Sequence, residues 1–217
     1  MSMEILLWVL PVLLAITVHE VAHGYVARHF GDPTAEMAGR ITLNPLRHVD
    51  LVGTLIVPAS LYLLSKQIGI EHPVLFGWAK PVPVNFNRLR HPKADMLWVA
   101  AAGPFANLVM AFGWACLSVF GKGAGMESYG YGLWLMALAG MSINGVLLFL
   151  NLIPVPPLDG GRIAVSLLPD DLARAYSRLE PFGLFILFGL LMSGALNVIL
   201  GPLVFSFEKM LMRLVGM

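Results

Sequence analysis

Apolar residues fall in long blocks, from about Met3 to Ala27, Leu51 to Leu64, Ala94 to Phe120, Tyr131 to Leu152 and Pro181 to Val204. Several exceed the ~20 residues that carry a helix across a hydrocarbon core. The pattern predicts an all-α membrane protein: one polytopic helical bundle over residues 1–217, with core spans at about 3–30, 94–121 and 131–168 and a further helix at about 181–204. The block from Leu51 to Leu64 has only about 14 residues and ends at Ser65-Lys66, which suits a re-entrant or interfacial segment better than a full crossing. Between Phe76 and Phe86 the prolines forbid a helix, and the alternating residues suit an edge strand. A small re-entrant and β-strand element near the cytoplasmic side is therefore expected, with an open edge fitted to an extended peptide.

Composition agrees with lipid as the main solvent. The chain is 58% apolar and 12% charged, against roughly 25% charged residues in ordinary soluble domains. Net charge is +1, and the basic residues are scattered through loops without aromatic interleaving, so no nucleic-acid surface is expected. The single cysteine, Cys116, lies inside an apolar block, which excludes an intramolecular disulfide and a thiolate-rich metal site. The first block lacks the basic n-region of a secretory signal, and no fixed-period repeat or low-complexity tract interrupts the chain.

Charge also orients the helices, because Lys and Arg concentrate on the cytoplasmic side. Eight of the 14 fall between Arg28 and Lys93. With Leu51 to Leu64 re-entrant, the N-terminus is outside, the first helix runs inward, Ala94 to Phe120 runs outward and Tyr131 to Leu150 runs inward. His23 and Asp159 then both arrive at the cytoplasmic side. At 1.5 Å per residue, Met3 to His19 covers roughly 24 Å of a core about 30 Å thick, which leaves the histidines inside the membrane but near water.

The chemistry is concentrated in His19-Glu20-Val21-Ala22-His23. On a helix, residues i and i+4 share a face, so the two imidazoles can hold one zinc ion while Glu20 serves as general base for the hydrolytic water. The plain alternative is a pair of helix histidines satisfied by neighbours, with Glu20 ion-paired. Three adjacent ionisable residues in an apolar block need compensation, however, and a divalent cation supplies it. Catalytic zinc usually takes a third protein ligand. Asn151-Leu152-Ile153-Pro154-Val155-Pro156-Pro157-Leu158-Asp159-Gly160-Gly161-Arg162 offers one. Three prolines in four positions break the helix at membrane depth, where irregular backbone is tolerated only against protein or a wet cavity. Asp159-Gly160 alone reads as an ordinary turn; beside the helical histidines, Asp159 is the better ligand candidate. His48, His91 and Glu36 compete for that role, and His29 suits an interface.

These residues resemble the site-2 protease family of intramembrane zinc metalloproteases. The resemblance rests on His19 to His23 in a membrane helix, Gly103-Pro104-Phe105-Ala106-Asn107 in the next complete span, and Asn151 through Asp159-Gly160 after it. Asn44 to Asp50 and Gly77 to Asn85 look like the compact bacterial or archaeal branch. It implies that His19, His23 and Asp159 bind one Zn2+, that Glu20 is catalytic, and that Asn107 lies near the substrate or stabilises the oxyanion. The implied partners are a transmembrane protein substrate and the lipid bilayer, in a prokaryotic cell membrane. Unlike larger relatives, the chain has no helix before the His-Glu-x-x-His helix and no binding domain inserted between core helices. Two other classes compete: a metal transporter or scaffold without catalysis, and a structural protein with a stabilising zinc. A transporter places polar residues along a path through several helices, whereas the ionisable residues here cluster on one side.

Overall fold

The computed structural model describes residues 3–67, 77–125 and 129–217. Among them the helices are α1 (Met3–His29), α2 (Thr34–Met37), a π-helical turn (Leu51–Ile56) leading into α3 (Val57–Gln67), α4 (Pro92–Gly123), α5 (Tyr129–Leu152), α6 (Asp159–Leu167), α7 (Asp170–Ser177), α8 (Gly183–Met192) and α9 (Ala195–Leu214).

The centre of the molecule is the antiparallel pair α4 and α5, with α1 packed on both and α9 on α5. Lipid tails are as apolar as leucine, so helices in a bilayer associate through close packing at small residues. That is the pattern found. The Trp114 ring lies over Gly140, Gly121 lies against the Trp134 backbone, and Ala111, Ala115 and Ala137 are fully buried. Phe207 and Leu211 of α9 pack on Ala111, Ala115, Met141 and Leu148. Large apolar side chains such as Phe105, Phe120, Phe185 and Val198 point outward, as lipid-facing positions do.

Among the described residues, five segments are long and apolar enough to cross a membrane: Leu7–His29, Pro92–Gly123, Tyr129–Leu152, Asp170–Met192 and Ala195–Leu214. The fourth is divided internally into α7, a turn at Glu180–Phe182, and the ten-residue α8. Leu187 of α8 packs with Leu196 and Leu200 at the start of α9, beside Phe149, Ile153 and Leu158. At its far end α9 reaches the end of α4, where Ser118 Oγ lies 3.7 Å from Met212 Sδ and 3.5 Å from Met217 Sδ. Four helices, α1, α4, α5 and α9, thus run the length of the bundle, and α6 to α8 gather at the end where α5 finishes.

Two expectations are corrected. The single further helix at about 181–204 is two helices, because Gly194 adopts φ +74° and the chain reverses there; only glycine takes that conformation cheaply. The strand expected from Phe76 to Phe86 is absent among the described residues; Phe76 lies outside them, and Gly77 to Asn85 has no regular secondary structure. The reason lies in its hydrogen bonds. The N–H groups of Trp78, Lys80, Val82 and Asn85 donate to Gly53 O, His48 O, Glu20 Oε2 and Asp32 Oδ2, and none of these acceptors belongs to a strand. Alternate amides, those of Trp78, Lys80 and Val82, do turn the same way, as in an extended chain, but no neighbouring strand meets them.

Candidate metal centre

His19 and His23 lie one turn apart on α1, both buried, with their Nε2 atoms 3.0 Å apart. They face α4 at Gly103. A Cβ there would stand 2.5 Å from His19 Cε1 and 2.6 Å from His19 Nε2, so the rings occupy the space that any other residue would fill. One turn before and one turn after Gly103, α4 supplies acceptors for both rings. His23 Nδ1 lies 2.7 Å from Val99 O, and His19 Nδ1 lies 2.6 Å from Asn107 Oδ1. A backbone carbonyl can only accept, so His23 carries its proton on Nδ1 and turns the Nε2 lone pair toward His19. Asn107 is fully buried, and its Nδ2 donates to Asn144 Oδ1 at 2.9 Å and to Ala15 O at 3.3 Å. Its oxygen is therefore the atom facing His19, which likewise carries its proton on Nδ1.

Asp159 opens α6 immediately after the Pro154, Pro156 and Pro157 break. Two glycines bring that turn against the end of α5. A Cβ on Gly160 would stand 2.5 Å from Ile153 O, and one on Gly161 2.7 Å from Pro156 Cα, so both residues pack backbone on backbone. The Asp159 carboxylate is thereby brought to the imidazoles, with Oδ2 3.2 Å from His19 Nε2 and 3.3 Å from His23 Nε2. This oxygen is enclosed and receives no hydrogen bond.

Three atoms that can each offer a lone pair thus converge, and a cation among them relieves their mutual repulsion. Ligands at about 2.0–2.1 Å from a tetrahedral zinc are roughly 3.3 Å apart; the observed edges of 3.0, 3.2 and 3.3 Å fit that figure. Among the described residues these three form the one His, Cys, Asp and Glu group able to hold a metal ion.

Glu20 is partly exposed and is held by the extended segment, its Oε2 accepting from Val82 N–H at 2.7 Å. The Val82 side chain rests on Gly24, where an added Cβ would come within 3.0 Å of Val82 Cγ1. The competing ligand candidates lie elsewhere. Glu36 pairs with Arg28 at 3.1 Å, His48 is buried with Nε2 3.0 Å from Thr42 O, and the His91 backbone N–H donates to Asp95. The sequence marked Gly103 only as part of the Gly103 to Asn107 motif, without its role as the seat of the imidazoles, and did not single out the Val99 carbonyl, the Val82 amide or Asn144. Of the last three only Asn144 carried a signal, as an amide inside an otherwise apolar block.

No family model matches the chain, and no solved structure does. Curated relatives exist. "Putative zinc metalloprotease YwhC" of Bacillus subtilis strain 168 is 34% identical over 209 residues, covering 95% of this chain and 89% of YwhC. Proteins named "Putative zinc metalloprotease Rip2" are 30% identical over 187 residues in Mycolicibacterium smegmatis and 29% identical over 189 residues in Mycobacterium tuberculosis H37Rv. Each of those matches covers 85% of this chain and 66% of the Rip2 protein. Sharing 34% of aligned residues with YwhC along nearly all of both chains, this chain belongs to the YwhC family, whose relatives carry the zinc metalloprotease name.

Proposed function

We propose that the chain is an intramembrane zinc metalloprotease of the site-2 type, hydrolysing peptide bonds in or near transmembrane segments of membrane proteins. The observation that carries this reading is the meeting of His19, His23 and Asp159 within 3.3 Å of one another beside Glu20, inside a bundle of membrane-length helices. His19 stands ten residues before the end of α1, roughly 15 Å into the helix at 1.5 Å per residue. The triad therefore lies below the interface rather than in a loop.

His19, His23 and Asp159 would hold the zinc. When bound, the ion would supply Lewis acidity, polarising a peptide carbonyl and lowering the pKa of water to about 7. Glu20 takes the proton of the attacking water and returns it to the departing amine. Val82 engages Oε2, so Oε1 is the oxygen left for that transfer. Asn107 acts on His19 rather than on the oxyanion, because both hydrogens of its amide are committed to Ala15 O and Asn144 Oδ1.

A helical substrate keeps its carbonyls hydrogen-bonded, and lipid offers no replacement for those bonds, so the cleaved segment must unwind locally. The Gly77 to Asn85 segment suits the unwound strand in a particular way. Successive residues of an extended chain face opposite sides. Since Trp78, Lys80 and Val82 face inward through their amides, Ala79, Pro81 and Pro83 face outward. The prolines offer carbonyls and no N–H, so a substrate strand would be held there chiefly by donating its own amides. The basic loops at the metal end set that end toward the cytoplasm of a prokaryotic cell.

The test is cleavage of a transmembrane peptide by the purified full chain in detergent. Glu20→Gln should retain zinc and lose a factor of about 10²–10⁴ in rate, the usual worth of a general base. Equal cleavage by variant and wild type would end the hydrolytic role of Glu20.

A further inference from the structure

Asn144 lies in the middle of α5 and touches neither imidazole nor carboxylate, yet it is fully buried and tied to the centre through a chain of amides. Its Nδ2 donates to Gly140 O at 2.8 Å, its Oδ1 accepts from Asn107 Nδ2 at 2.9 Å, and Asn107 Oδ1 faces His19 Nδ1 at 2.6 Å. An amide side chain can be turned end for end with almost no change of shape, so shape does not decide which end of Asn107 meets His19. Backbone carbonyls decide it. Gly140 O and Ala15 O can only accept, and each therefore selects a nitrogen. Gly140 O draws Nδ2 of Asn144 and thereby turns Oδ1 toward Asn107. Ala15 O and Asn144 Oδ1 together then draw Nδ2 of Asn107.

We propose that Asn144 is a positioning residue for the metal centre: acting through Asn107, it fixes the protonation pattern of His19, with the hydrogen on Nδ1 and the Nε2 lone pair free for the cation. Without Asn144, only the longer contact to Ala15 O, at 3.3 Å, still selects Asn107 Nδ2, so Asn107 divides between its two ends; where it is turned over it presents its NH2 to the ring, and His19 answers by moving its proton to Nε2. That tautomer cannot ligate through Nε2. The inference rests on the metal-binding reading and extends it, by assigning to α5 a part in the ligand geometry of α1.

Two measurements on the full chain in detergent test it. The first is zinc affinity, by competition with a chelator, for wild type, Asn107→Leu, Asn144→Ala and the double variant. Outer partners of ligating histidines are worth about 10–100-fold in metal affinity. Asn144→Ala should weaken zinc about tenfold at the near end of that range, and the double variant should bind no more weakly than Asn107→Leu alone, because the path is already cut. A tenfold loss that persists in the Asn107→Leu background, or no loss from Asn144→Ala, overturns the proposal. The second is nitrogen-15 NMR of the histidine side chains without metal. Wild-type His19 should show the Nδ1-protonated form and Asn144→Ala a mixture; an unchanged pure form in the variant overturns the proposal. A residue with only a packing role would lower thermal stability and leave the tautomer alone. Asn144→Val, closer in volume, carries both measurements if the alanine variant does not fold. A wild-type protein that binds no zinc sinks the metalloprotease reading, while the tautomer measurement still decides the role of Asn144 separately.

Discussion

At position 103 a single added carbon would stand 2.6 Å from His19 Nε2, well inside van der Waals contact, with the imidazoles packed on either side. Gly103→Ala should therefore displace both rings and weaken zinc by at least ~100-fold, beyond what loss of one outer partner costs. Gly113, on the same helix, has nothing within 4 Å of its missing Cβ. Gly113→Ala should leave metal content unchanged and stabilise α4 slightly, by up to about 1 kcal/mol. Metal analysis of the two purified variants reads both outcomes, and equal zinc in both would remove Gly103 from the account. Asp159→Asn should also lower zinc content, since the amide exchanges an anionic oxygen for a neutral one at the position 3.2 and 3.3 Å from the rings. His19, Glu20 and His23 were legible because their chemistry is written within five consecutive residues on one helix. The part played by Gly103 was not, although the residue opens a recognisable motif, because a glycine in an apolar block announces a close approach without saying to what.

Elements, more than residues, bring Asp159 and Glu20 to their places. Asp159-Gly160-Gly161 has the composition of a turn, and its prolines foretold the broken helix. The start of α6, however, depends on backbone contacts between Gly160, Gly161 and the Leu152 to Pro156 stretch, which only a folded chain reveals. The segment from Gly77 to Asn85 teaches the complementary lesson. Its prolines and alternation determined extension, but a strand is a relation between two chains, and its inward amides found loop and side-chain acceptors instead. One of those amides is open to test. Val82 stands between Pro81 and Pro83, so Val82→Pro keeps an extended run of prolines while deleting the N–H that holds Glu20 Oε2 at 2.7 Å. Cleavage of a transmembrane peptide should fall about tenfold, the worth of one charge-assisted hydrogen bond, with zinc content unchanged. Loss of zinc alongside activity would show that the segment supports the ligands rather than Glu20.

For the whole molecule, the number of crossings turns on residues 170–192. Their length and composition qualify them as a span, although their apolar block begins only at about Pro181. Packing divides them, by setting α8 against the start of α9 and the end of α5. If α8 stays at the metal end, α1, α4, α5 and α9 are the crossings, and the chain ends on the face where it began. The Met217 Sδ to Ser118 Oγ approach of 3.5 Å places the end of α9 at that face, near the end of α4. A fifth crossing would carry the tail to the metal end instead. Charge gives the orientation: Arg28 to Arg47, Arg88 to Lys93 and Arg162 to Arg178 surround the metal end, against Lys122, Lys209 and Arg213 at the other. In a Cys116→Ala background, a membrane-impermeant maleimide should therefore label Ala124→Cys and Met217→Cys in intact cells, and Arg174→Cys only after lysis. Labelling of residue 174 but not 124 from outside would invert the molecule while preserving four crossings. Labelling of 124 together with protection of 217 would restore the fifth crossing and overturn the packing of α8 as the feature that sets the topology.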